Sequence, residues 1–164
     1  MGSTSAVTVS GSNVGVPPLE TIKGMSGLEY MRGIVEGRLP APPISATLGF
    51  AVTEVDAGLA VFTMTPGFRH YNPLGTVHGG VAATLLDSCM GCAVHTRLEA
   101  GIGYTTLEFK VNLVRPITDT TGLIRAEGRT LHVGRRSATA EGRIVDANGA
   151  LLAHGTTTCL VFPL

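Results

Sequence analysis

The run His78-Gly79-Gly80-Val81-Ala82-Ala83-Thr84-Leu85-Leu86-Asp87-Ser88-Cys89-Met90-Gly91-Cys92-Ala93-Val94-His95 decides what this chain can fold into. Small and apolar residues occupy nearly every face of a helix drawn through it, and soluble proteins bury such a helix. Between Gly79 and Thr96 only Asp87 carries a side chain that is charged at its ordinary pKa. A buried carboxylate is costly unless something compensates it or uses it, which makes Asp87 the first candidate for chemistry.

Working outward from this helix, Phe50 to Asp56 and Leu59 to Thr65 are β-rich runs joined at Ala57-Gly58, a hairpin pattern. A turn-rich segment, Pro66 to Val77, leads into the helix, and Glu99-Ala100-Gly101 closes it. Four strand candidates follow: Tyr104 to Val114, Gly122 to His132, Ser137 to Asp146 and Leu151 to Val161, with turns at Val133-Gly134 and Asn148-Gly149. Leu123, Arg125, Glu127 and Arg129 alternate with Ile124, Ala126, Gly128 and Thr130, so one face is wet and the other packs. The order predicts an α+β domain in which a curled antiparallel sheet of about six strands wraps a long central helix. The small residues on that helix are expected to let the sheet approach closely.

Upstream, Ser26-Gly27-Leu28-Glu29 has the form of a capping box, with Leu28, Met31 and Val35 on one helical face before the prolines at 40, 42 and 43. This predicts a short N-terminal helix. Residues 1–24, rich in Ser, Thr, Gly and Val and carrying Pro17-Pro18, are expected to be disordered or strap-like, leaving 25–164 as one domain. Twelve basic and twelve acidic residues balance to zero net charge, which removes the basic field that nucleic acid or an anionic membrane surface would need. Three cysteines in apolar runs fit reduced thiols, and no signal peptide or membrane-length apolar run is present, so a cytoplasmic protein is expected. Cys89 and Cys92 have a C-x-x-C spacing but no second pair, and read as small core residues rather than metal ligands. His95, His132 and His154, without motifs around them, read as packed or surface side chains.

Tyr71-Asn72-Pro73-Leu74-Gly75-Thr76-Val77-His78-Gly79-Gly80, with Asp87 eight residues beyond Gly79 and Gly103-Tyr104-Thr105-Thr106 opening the next strand, resembles the hotdog-fold acyl-CoA thioesterases. The phenylacetate-degradation (PaaI-like) branch, which includes hydroxyphenylacetyl-CoA and hydroxybenzoyl-CoA thioesterases, looks closest. The resemblance covers roughly Ile44 to Phe162. It implies that Asn72 and His78 contact or orient the thioester, that the Gly79 amide polarises its carbonyl, that Asp87 is the acidic catalytic residue, as general base or nucleophile, and that Thr106 helps hold water beside it. A turn role for Asn72 and a backbone-bonded, loop-orienting role for His78 are the structural alternatives. No D-x-N-P-x-H stretch precedes the helix, which separates the chain from the hydratase branches.

Thioester hydrolysis needs a polarised carbonyl and either an attacking carboxylate or a water activated by one. Gly79 and Gly80 begin the helix, where unpaired amides and the helix dipole would stabilise an oxyanion. Eight residues of helix place Gly79 and Asp87 about 12 Å apart along the axis, too far to flank one carbonyl carbon. Either the helix is broken or two chains share each site. A two-fold dimer with antiparallel central helices satisfies the second option, and the resemblance implies the same dimer, with sheets joined edge to edge. Pairing of such dimers into a homotetramer is a further expectation. Ser88 and Thr106 are candidate donors that would keep a buried Asp87 ionised. Arg135, Arg136 and Ser137, at the turn between two strands, are the expected contacts of the coenzyme A phosphates, with Arg115 and Lys110 behind them. No metal or redox cofactor is expected; coenzyme A enters as part of the substrate. A noncatalytic acyl-CoA-binding module and a hotdog hydratase are the competing functions.

Overall fold

The computed structural model describes residues 13–164. Six strands form one sheet: β1 (Phe50–Asp56), β2 (Leu59–Met64), β3 (Ile102–Leu113), β4 (Ile124–Val133), β5 (Ser137–Val145) and β6 (Leu151–Pro163). Their spatial order is β1-β2-β4-β5-β6-β3, with every neighbouring pair antiparallel. The helices are α1 (Leu19–Lys23), α2 (Gly27–Val35), α3 (Pro43–Leu48) and the long α4 (Gly79–His95). All six strands touch α4. Laid flat, six strands would span about 24 Å, roughly twice the width of a helix, so contact with all of them requires a sheet curled around α4. The expected architecture is therefore present.

Gly128 on β4, Gly142 on β5 and Gly155 on β6 stand side by side in the register, forming a row across three strands beneath the middle of α4. A Cβ on Gly128 would collide with the backbone carbonyl of Cys89, and one on Gly142 would lie 2.8 Å from Met90 Cγ. Close approach thus depends on glycines of the sheet as well as on the small residues of the helix. Gly128→Ala is expected to cost about 3 kcal/mol, the upper part of the overpacking range, because backbone must move. Gly142→Ala should cost less, since the end of Met90 can yield. Urea denaturation midpoints check the order, and equal midpoints for wild type and Gly128→Ala would refute it.

α2 has the predicted capping box: Ser26 Oγ accepts from Glu29 N–H at 3.3 Å and Glu29 Oε2 accepts from Ser26 N–H at 2.9 Å. Its inward face differs from the expected one. Gly27 and Met31 are buried and Tyr30 and Ile34 half-buried against the core, while Val35 is 38% exposed. The cause is a close crossing at Gly27, whose bare Cα lies against the His95 carbonyl and whose N–H donates to Leu98 O at 3.0 Å. That crossing sets the rotation of α2 over the end of α4.

Of the N-terminal segment expected to be disordered or strap-like, residues 1–12 lie outside the described residues. Residues 13–15 run beside Ala41, with Gly15 N–H donating to Ala41 O and Ala41 N–H to Asn13 O. Leu19–Lys23 is helical, as is Pro43–Leu48; neither helix was among the expected elements. α3 starts with Pro43 at a position where its missing N–H is not needed and ends at Gly49, with φ +74°. No helix among the described residues is long and apolar enough to cross a membrane.

Candidate active site

α4 is continuous over its 17 residues from Gly79 to His95. Val81, Ala82, Leu85, Leu86, Cys89, Met90, Ala93 and Val94 are buried, but the stripe of Thr84, Asp87, Ser88 and His95 is only half-buried. The expectation of a fully buried helix therefore needs correction within one chain. The curled sheet covers most of the circumference and leaves this stripe open, with Asp87 in its middle.

Thr106 reaches the stripe from β3 and donates its hydroxyl to Asp87 Oδ1 at 2.9 Å. β3 has a register shift between Thr106 and Glu108, the bulge type of irregularity that re-aims side chains near sites. This is the donor expected of Thr106. Ser88, expected to help, makes no hydrogen bond to Asp87 among the described residues, and its place beside the acid leaves it a neighbour only. One Asp87 oxygen is thus engaged, and the other has no hydrogen-bond partner among the described residues.

At the start of α4, Gly79 N–H has no hydrogen-bond partner among the described residues, whereas Gly80 N–H donates to His78 Nδ1 at 2.9 Å. The expectation of two unpaired amides is corrected: His78 caps the helix with its ring and so consumes the Gly80 donor. Asn72 is likewise committed to its own loop. Its Oδ1 accepts from Leu74 N–H at 2.9 Å and Thr76 N–H at 3.2 Å, and its Nδ2 donates to Thr76 Oγ1 at 2.9 Å. The loop that delivers Gly79 is thus held by the local Asn72 turn, with the side chain acting on backbone.

His70, which the sequence did not single out, clamps the same loop. Gly67 N–H donates to its Nδ1 at 2.9 Å, its Nε2 lies 3.0 Å from Leu48 O, and its carbonyl accepts from His78 N–H. With Nδ1 accepting, the Nε2–H tautomer donates to Leu48 O. Nothing in the pattern of Phe68-Arg69-His70 signals this, because the partners come from α3 and from the far end of the loop.

Asn72, His78 and Gly79 line one cleft of about 270 Å³ together with Leu113 and Arg115. Arg115, a secondary candidate in the sequence, is the one lysine or arginine that lines this cleft among the described residues. Arg135, Arg136 and Ser137 are exposed at the β4–β5 turn, and neither arginine forms a salt bridge among the described residues. Arg136 O accepts from Val161 N–H, which puts the turn level with the Tyr104 end of β3, toward the C-terminal half of α4. Within one chain, the Gly79 cleft and the Asp87–Thr106 pair with the arginine turn beyond it are two separate places.

Burial pushes the Cys92 thiol up to about 12, and the Cys89 thiol is raised further by the same cause. Both are free and Cys89 is fully buried, in keeping with small core residues. His95 packs between Tyr30 and Tyr104, with ring centroids at 5.5 and 5.3 Å. Burial lowers its pKa to about 4, so it is neutral near pH 7. His132 and His154 are exposed.

Comparisons with known proteins agree with this architecture. Residues 74–153 match the family model of the thioesterase superfamily. The chain is 33% identical over 104 residues, 63% of its own length and 74% of the relative's, to the proofreading thioesterase EntH of Klebsiella pneumoniae. The crystal structure of a phenylacetic acid degradation-related protein from Ralstonia eutropha superposes with a TM-score of 0.72 at 30% identity, covering 80% of this chain and 98% of that one. The E. coli PaaI protein shares the fold, with a TM-score of 0.72 at 20% identity and coverage of 84% and 96%. The chain belongs to the thioesterase superfamily. Within it, the fold and the relatives at 30% identity or more mark a PaaI-like hotdog thioesterase.

Proposed function

We propose that the protein hydrolyses acyl-CoA thioesters to a free acid and coenzyme A in sites shared between two copies of the chain. The observation that carries this reading is the Asp87–Thr106 pair, a half-buried carboxylate held by a hydroxyl on the open stripe of α4. The free Gly79 amide is the matching donor. It lies about 12 Å away along a continuous helix, so a second copy must bring it to Asp87.

The edge strand β3 supplies the means of assembly. It is 12 residues long, pairs only with β6 among the described residues, and exposes Leu107 at 59% and Phe109 at 40%. Such an edge is normally covered. Antiparallel pairing of β3 with its copy would join the two sheets, set the two α4 helices antiparallel, and bring the Gly79 of the partner chain toward Asp87. Two equivalent sites follow from the two-fold axis.

In each site the thioester carbonyl accepts from the Gly79 amide at the positive end of α4. Asp87 acts as general base: water attacks the carbonyl carbon, its proton passes to Asp87, the C–S bond breaks and the coenzyme A thiolate leaves, taking up that proton. Thr106 positions the carboxylate and the water. His78 and Asn72 hold the Gly79 loop, while Arg135, Arg136 and Ser137 on one side and Arg115 on the other supply donors for the coenzyme A phosphates. Single turnover in ¹⁸O-water separates this from direct attack by Asp87 with the anhydride opened at the aspartyl carbonyl, which would leave label in the aspartate, and trapping of an acyl-aspartate anhydride would reveal direct attack opened at the acyl carbonyl.

The proposal is tested by mixing the purified protein with acyl-CoAs and a thiol reagent. Release of free coenzyme A is expected with at least one of them. Binding without release would instead favour a noncatalytic acyl-CoA module.

A further inference from the structure

β3 changes face part-way along. Tyr104 and Thr106, at even positions, lie against α4: a Cβ added to Gly91 would come within 3.0 Å of the Tyr104 ring, and Thr106 bonds Asp87. Val111 and Leu113, at odd positions, lie on the same side: Val111 packs on the core, and Leu113 Cδ1 is 2.7 Å from where a Cβ on Gly79 would stand. Side chains of a regular strand alternate between its two faces, so even and odd positions cannot both meet one helix. The register resolves this. Thr106 pairs with Cys159 and Glu108 with Thr158, so Leu107 is an extra residue between them and the alternation restarts after it.

This bulge lets one strand serve both the Asp87 and the Gly79 regions of α4. Without it, two arrangements remain. If the even positions stayed inward, Glu108 and Lys110 would follow Thr106 toward the core, and a charge buried there without a partner is costly. If the odd positions stayed inward, Val111 and Leu113 would keep their apolar contacts while Thr106 turned to the outer face, away from Asp87. Packing favours the second arrangement, so the hydroxyl on Asp87 depends on the extra residue staying at Leu107.

Thr157 of β6 is placed to hold it there. This residue is 2% exposed and stands opposite Phe109. Its hydroxyl donates to the Glu108 carbonyl, just beyond the extra residue, at 2.8 Å. The bond thus crosses from β6 to β3 where the bulge displaces the ladder. Within one chain β6 is the single neighbour of β3 among the described residues, so the tie comes from the one strand able to supply it. Thr157 makes no hydrogen bond to Asp87 itself among the described residues. We infer that Thr157 is a positioning residue for the hydrolysis: by fixing the bulge at Leu107 it fixes the aim of Thr106 at Asp87. The inference deepens the thioesterase reading and rests on it.

The test measures kcat and KM of the full chain with acetyl-, octanoyl-, benzoyl- and phenylacetyl-CoA, and follows whichever is turned over fastest. Thr157→Val keeps the shape of the side chain and removes the hydroxyl. It is expected to lower kcat about tenfold or more, because misplacing a reacting group by an ångström can cost about 10²-fold. KM should stay within about twofold of wild type, since binding contacts are untouched. Thr157→Ser, which restores the donor, should recover most of the loss. The same change is then made in a Thr106→Val background, where Thr157→Val should lower kcat by less than about twofold further because the group it positions is gone. Any of three results overturns the inference while leaving thioester hydrolysis intact: a loss of the same factor in both backgrounds, a serine variant as slow as the valine one, or wild-type kcat in Thr157→Val. Thr157→Ala, which is smaller and cannot overpack, takes the place of Thr157→Val if that chain does not fold. Absence of turnover by the wild type with all four substrates overturns both the inference and the thioesterase reading.

Discussion

Asp87→Asn is expected to lower kcat by about 10²–10⁴-fold, the usual contribution of a positioned general base, while leaving the melting temperature close to that of wild type. The amide is isosteric with the carboxylate, and its oxygen can still accept from the Thr106 hydroxyl that now donates at 2.9 Å. What disappears is the capacity to take a proton from water. Full turnover in this variant would remove Asp87 from the mechanism. The same variant also tests whether sites are shared. Co-expressed with chains disabled at Gly79, it forms mixed dimers in which one site has both defects and the other has neither. With random pairing, about a quarter of wild-type activity should return, since half the dimers are mixed and each holds one intact site. No recovery above the parents would show that each chain works alone.

Gly79→Pro is the second large effect and the natural partner in that mixture. Proline removes the one unpaired amide at the start of α4. It does so at the first helical position, where proline is accepted because the N–H has no helical partner. The preceding residue, His78, already has φ −59° and ψ 133°, the extended conformation that a following proline requires. The helix should therefore survive, and its His78 cap on Gly80 with it. Loss of an oxyanion donor costs about 10²–10³ in kcat, and that is the expected fall. Gly79→Ala is the control. It introduces the same contact with the flexible end of Leu113, 2.7 Å from the added Cβ, but keeps the amide. If the alanine and proline variants were equally active, the amide would have no role in catalysis.

These two residues also show how far local pattern carries. The central helix was legible from its residue types, and Asp87 from being the one charge within them. Thr106 was legible through the resemblance, as was the importance of the Gly79 start. His78 and Asn72 were found as positions but not as bonds: the ring that caps Gly80 and the amide that closes the 72–76 turn depend on side-chain rotations that residue spacing does not encode. His70 escaped altogether, because Leu48 and the His78 amide meet it only after α3 and the loop are folded together, and its bond to Gly67, though local, depends on a ring rotation that residue spacing does not encode. The inward face of α2 was misassigned because Gly27, with no side chain to count as apolar, decides the crossing.

By itself the amino-acid sequence determined the six strands, the capped helix α2 and the central helix α4, though not α1 or α3, since alternation along strands and an apolar run of helical length are properties of neighbouring residues. It also determined that Gly79 and Asp87 stand about 12 Å apart if the helix is unbroken, too far for both to serve one carbonyl within one chain. Only the tertiary structure decided that the helix is unbroken, that its Asp87 stripe is the part the sheet leaves open, and that β3 is a free edge. It alone brought Tyr30, from a segment far upstream, against His95, whose ring also meets that of Tyr104. The physical reason is the curl of the sheet. How six strands close around one helix, and which stripe they leave uncovered, depends on the Gly128–Gly142–Gly155 row and the strand order, both of which join residues distant along the chain.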